Sequence, residues 1–172
     1  MRALPASVIA LGIALSGCRE GLPTTGGAES TASLSRSSGT ITTQPLSASC
    51  ETSFDAPPLP PPPVLRQVDN GTCQMTHLGR AAFHAVQDID LASGTQSSIE
   101  VTFTAANGDI LRASSTGTST PNGPGVAFNA VMTFAGGTGR FAHASGSARV
   151  VGTASFITNS STFKLVDGSI SF

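Results

Sequence analysis

Hydrophobic and polar positions alternate along the C-terminal two thirds of this chain. Ile99, Val101, Phe103 and Ala105 fall on every second position, with Glu100, Thr102 and Thr104 between them, the period of a strand with one buried face. Asn107-Gly108 follows, a strong short hairpin signal, and Ile110 to Thr118 predicts the returning strand. The turn residues from Pro121 to Gly125 punctuate again before Val126, Phe128, Ala130, Met132 and Phe134 resume the alternation. After a Gly-rich connection, Ser147 to Thr158 and Ser161 to Phe172 supply further strand material, and a first strand is expected near Leu46 to Phe54. The pattern predicts seven or eight strands joined by short turns, and no helix. An all-β antiparallel barrel suits it better than a sandwich, because closure removes the exposed edges of a Gly-rich sheet.

Composition narrows this further. A length of 172 residues allows one core. Nine Lys and Arg against ten Asp and Glu give a formal charge of −1 with no basic cluster. Nucleic acid is therefore excluded as an expected partner, since neutralising phosphates needs concentrated cations.

The N-terminus carries an address. Met1 to Cys18 combines Arg2, an apolar run from about Val8 to Leu15 and the sequence Leu15-Ser16-Gly17-Cys18, which together predict a secretory signal. The last four residues resemble the bacterial lipobox, in which the Cys thiol receives a diacylglyceryl group and the chain is cut just before it. The expectation is a signal peptide at 1–17, a lipidated Cys18 opening a disordered tether at 18–45, and a barrel domain at 46–172. Arg19 to Pro45 has almost no large apolar residue and so cannot offset its ordering entropy by burial. The membrane, reached through this lipid anchor, is one expected partner. The bacterial cell envelope, with outer-membrane sorting, is the expected location.

With Cys18 acylated, Cys50 and Cys73 remain as an even pair in an oxidising compartment, which predicts a disulfide. Between them lies the proline-rich run from Pro57 to Pro63.

Gly137, Gly139 and Ala142 match the dinucleotide-binding fingerprint, but that motif needs a following helix and an acidic residue about 20 positions on. Ala142 leads instead into strand-like sequence, so a tight connection is expected. The segment Gly136 to Ala148 resembles one of the allene oxide cyclase and dirigent superfamily. Thr76 to Arg80, Phe103 to Asp109 and Gly168 to Ile170 resemble a secreted bacterial branch of the same barrels. The resemblance implies an eight-stranded antiparallel barrel with an apolar cavity. Plant members steer cyclisation or coupling with a few polar groups in that cavity, and none of those groups maps onto a position here.

Candidate chemistry is sparse. His77, His84 and His143 have no ligand partners at metal-binding spacing, and Asp88 with Asp90 falls short of a Ca²⁺ set. Neither a metal nor a cofactor is expected. Asp109 reads as a turn residue. Arg80, Arg112, Arg140 and Glu100 are the charges whose direction matters, since an unpaired inward charge is costly. The expected cavity lining is Ile99, Val101, Phe103, Val126, Phe128, Met132, Phe134, Phe163 and Leu165, which suits a small apolar or lipid-like ligand. The competing expectation is that these side chains meet and fill the barrel. A binding or scaffold module is thus the leading expectation, with a cofactor-free cyclase or isomerase as the alternative and a purely structural envelope protein third. An inward charge beside an apolar chamber favours the enzyme, and a solid core the scaffold.

Overall fold

The computed structural model describes residues 42–58 and 60–172. The signal peptide, Cys18 and most of the tether lie outside them. Eight strands follow in order: β1 Gln44–Phe54, β2 Val64–Met75, β3 Gly79–Asp90, β4 Thr95–Ala105, β5 Ile110–Asn122, β6 Gly125–Gly137, β7 Ser145–Ser155 and β8 Ser160–Ser171. A single 3-10 turn, Gly139–Phe141, interrupts the β6–β7 connection. β1 begins two residues before the expected boundary, with Gln44 opposite Ile170 and Pro45 opposite Ser169.

Each strand pairs antiparallel with its neighbour in sequence, and β8 closes onto β1. No edge is left to template aggregation. The alternation seen in the sequence sorts side chains across this wall. On β1, Leu46, Ala48, Cys50, Thr52 and Phe54 are buried, while Ser47, Ser49, Glu51 and Ser53 are exposed. Charged side chains such as Arg66, Arg112, Arg149 and Lys164 face outward, the reverse of what a lipid-facing barrel surface needs.

Cys50 and Cys73 are directly opposite in the β1–β2 register and form a disulfide buried inside the wall. The bridge links the two strands well away from the proline-rich connection, which it does not clamp directly.

The up-and-down topology gives the barrel two different ends. One carries the β2–β3 and β4–β5 turns, the β6–β7 connection and the outer ends of β1 and β8. There Leu46, Met75, Leu78, Leu111, Phe134, Phe141 and Ile170 are all buried and fill the interior. Above them the ring of Phe83 lies 5.3 Å from those of both Phe103 and Phe163. The other end carries the proline-rich β1–β2 connection and the β3–β4, β5–β6 and β7–β8 turns, and it is not filled.

A chamber at the open end of the barrel

An eight-stranded barrel is just wide enough to be filled by its side chains or to hold one small ligand. This barrel does both, at opposite ends. A chamber of about 110 Å³ occupies the end carrying the proline-rich connection. β6 and β7 give it only apolar side chains: Val126, Phe128, Ala130 and Met132 from one, Val150 and Ala154 from the other. Across from them, β2 to β5 add Gln67, Asp69, Gln87, Gln96, Ser98 and Ser115 to apolar residues such as Leu65 and Phe83. Thr52 and Ser161 also line it, but their hydroxyls are bonded to each other at 2.6 Å.

Asp69 is the charged residue of this lining, and it is 5% exposed. Gln67 Nε2 donates to its Oδ1 at 3.0 Å, and Gln87 Nε2 donates to its Oδ2 at 2.6 Å. Burial pushes the Asp69 carboxyl above the ordinary carboxylate range, opposed by the two amide hydrogen bonds and by nearby His84. His84 itself is on the outer side of β3, its Nδ1 2.9 Å from Asn70 Oδ1. A carboxyl in this setting can accept hydrogen bonds from a guest, and it holds its proton more tightly than an exposed carboxyl does.

The expected lining residues divide into three groups. Val101, Val126, Phe128, Met132 and Phe163 face the chamber. Phe103, Phe134 and Leu165 are buried in the packed part of the core and do not line it. Ile99 is the correction, being 64% exposed on the outer wall. The β3–β4 register steps from Val86 opposite Glu100 to Gln87 opposite Ser98, which makes Ile99 an extra residue. Such a bulge reverses the parity of the strand beyond it, so Ser98 takes the inward place.

None of the charges flagged from the sequence enters the chamber. Glu100, Arg80 and Arg112 are exposed. Arg140 lies over the Phe141 ring at 4.8 Å and donates to the backbone oxygen of His77. His77 sits in the β2–β3 turn, its Nε2 2.9 Å from Pro45 O, and His143 is exposed. Asp88 pairs with Arg66 at 3.0 Å across the outer wall. Asp90 Oδ1 accepts from the backbone N–H of Ala92 and of Ser93, which holds its carboxyl below the usual range and caps the β3–β4 turn. Asp109 closes the β4–β5 turn with Asn107, as the Asn-Gly signal implied.

The Gly-rich segment that resembles the dinucleotide motif is part of the closed end. Gly139 holds φ +55°, and a Cβ there would lie 1.8 Å from Asp109 Oδ1, so glycine meets both demands of the site. The turn it permits drives Phe141 into the barrel, where it is 0% exposed. The chain then enters β7 rather than a nucleotide-binding helix.

The residues missed by sequence reading are Gln67, Asp69 and Gln87. A signal for two of them was present: counting back by twos from Cys73 along an uninterrupted β2–β3 register reaches Asp69 and then Gln67. An inward disulfide thus marks the inward parity of its strand.

Comparison with family models, with curated proteins and with solved structures finds no match to this chain. What is shown is an eight-stranded closed antiparallel barrel with a disulfide and a chamber able to receive a ligand.

Proposed function

We propose that this chain is a lipid-anchored binding module of the bacterial envelope, taking a small, mainly apolar molecule into the open end of its barrel. The carrying observation is the chamber's two-sided wall, with apolar β6 and β7 facing the buried Asp69 cluster. Such a wall orients a guest with one polar group, where a uniformly greasy one would not. The closed end makes the interior a cup rather than a channel. Kinship with the allene oxide cyclase and dirigent barrels belongs to this proposal, supported by the closed eight-stranded architecture and by the Gly136 to Ala148 segment.

Native mass spectrometry and thermal shift against a panel of small apolar and terpenoid molecules test the binding reading. At least one class is expected to be retained and to raise the melting temperature. Ala154→Leu, which places a larger side chain in the chamber, is expected to abolish the shift. Absence of any retained ligand or shift across the panel refutes it. The anchor is tested separately by palmitate labelling, which is expected in the wild type and lost in Cys18→Ala.

Asp69 also favours a second reading, a cofactor-free cyclase or isomerase. A desolvated carboxyl beside an apolar chamber is suited to give or take a proton from a bound intermediate. Turnover of a panel compound by the wild type, abolished by Asp69→Asn with binding retained, would select the enzyme.

A further inference from the structure

The shell around Asp69 is built for a charge but does not neutralise it. Both carboxylate oxygens already accept an amide N–H, from Gln67 at 3.0 Å and from Gln87 at 2.6 Å. A protonated carboxyl would need an acceptor for its own hydrogen, so two donors on two oxygens is the arrangement of the ionised form. Yet both donors are neutral. The ion pairs among the described residues are Arg66–Asp88, Arg140–Asp109 and Arg149–Asp167, and none of them reaches the chamber. His84 acts on this carboxylate from the outer side of β3 without touching it, so among the described residues no cation makes the direct contact that usually offsets a carboxylate's desolvation.

The surroundings describe the missing partner. On flanking β1, Glu51 is exposed, and Asp55 beyond its end is exposed too. On flanking β3, His84 and Asp88 face the outer side. Facing strands β6 and β7 bring no titratable side chain to the chamber. The amide carbonyl oxygens of Gln67 and Gln87 make no hydrogen bond among the described residues and remain as acceptors. Phe83, Phe128 and Phe163 add aromatic rings to the lining, whose faces attract a cation.

Resting on the binding reading above, we infer that the ligand is a small apolar monocation. Its ammonium group sits on Asp69 between Gln67 and Gln87, and its hydrocarbon part lies on Phe128, Met132 and Phe163. An ammonium brings N–H donors to a carboxylate and two carbonyls, and it supplies the contacting cation that the described residues do not. A carboxylate or phosphate ligand would meet Asp69 with like charge and is rejected. A neutral alcohol of the same shape fits the apolar wall but leaves Asp69 uncompensated.

Calorimetric titration of the full chain with benzylamine, benzyl alcohol and toluene, probes of one ring and nearly one size, tests the inference. At neutral pH benzylamine is expected to bind about tenfold more tightly than benzyl alcohol, a step of one charge-assisted contact. Asp69→Asn is expected to erase that gap by lowering benzylamine affinity to the level of the alcohol's. In the wild type, benzylamine affinity is expected to fall about tenfold in all, to the level of benzyl alcohol, as pH drops through the Asp69 pKa and the carboxylate is lost, with benzyl alcohol changing far less. That series reads the same charge without any substitution, should the variant fail to fold. Equal affinities for amine and alcohol in the wild type, or a gap that survives Asp69→Asn, overturn the ammonium assignment while the apolar-binding reading stands. If none of the three probes binds, the ammonium assignment falls, and the apolar-binding reading stands or falls with the wider panel.

Discussion

Asp69 and Gln87 meet on the inside of the barrel wall from neighbouring strands, Gln87 Nε2 donating to Asp69 Oδ2 at 2.6 Å. The contact is diagonal, since Asp69 is opposite Ala85 in the ladder while Gln87 is opposite Gln67. Three inward side chains on two adjacent strands thereby form one polar cluster in an otherwise largely apolar chamber. Hydrogen bonds to a charged group in such a setting are stronger than in water, and an unmatched charge there is costlier.

The first prediction concerns pH. Burial raises the Asp69 pKa above its reference of 3.8, so the native state holds this proton more tightly than the unfolded chain. Stability from this group is therefore greatest at acid pH and declines as pH rises from the unfolded pKa through the folded one. Asp69→Asn cannot ionise and escapes that decline. Thermal unfolding of both proteins across pH should show the variant gaining on the wild type as pH rises, then a constant difference. A wild type that gains on the variant with rising pH would contradict the burial argument.

The Cys50–Cys73 bridge spans 23 residues, and closing a loop of that size in the unfolded chain is worth about 3 kcal/mol. Both sulfurs are enclosed by the wall, so reductant should act slowly on the folded protein and quickly once it is unfolded. Non-reducing mass spectrometry should find no free thiol at either position. A Cys50→Ala/Cys73→Ala variant should unfold at lower urea concentration, by about the stated energy.

Phe141→Ala should be among the most disruptive substitutions outside the chamber. The ring is fully buried and lies 5.0 Å from that of Phe172, so its loss leaves a cavity in the closed end at a cost of about 3 to 5 kcal/mol. Urea unfolding reads this directly. Gly139→Ala should also destabilise, through the overlap with Asp109 and the left-handed backbone.

The bulge in β4 makes opposite predictions for two nearly adjacent aliphatic residues. Ile99→Asp changes an exposed outer position and should alter stability by no more than about 0.5 kcal/mol. Val101→Asp buries a second carboxylate near the first and should cost at least about 3 kcal/mol, or prevent folding. Equal effects would mean that the register assigned to β4 is wrong.

Alternation with period two, Asn107-Gly108 and the turn from Pro121 to Gly125 were enough to predict strands, hairpins and an antiparallel barrel, because those signals act between residues close in the chain. The Cys50–Cys73 pair was legible for a different reason, as the even pair left once Cys18 is set aside, on the expectation of an oxidising compartment. Which side of β4 Ile99 faces was not legible. A bulge is an agreement between two strands about register, and a single strand's pattern does not contain it. Nor did the list of apolar alternates say that Phe103 and Phe134 pack into the core while Phe128 and Met132 border empty space. That division depends on side chains from strands far apart in sequence meeting across the barrel, with Phe141 and Leu78 closing only one end. Asp69 stood between these cases. Its inward parity was available from Cys73, but its burial beside Gln67 and Gln87 came only when β2, β3 and the facing wall of β6 and β7 were assembled around it, because desolvation is a property of everything that surrounds a group.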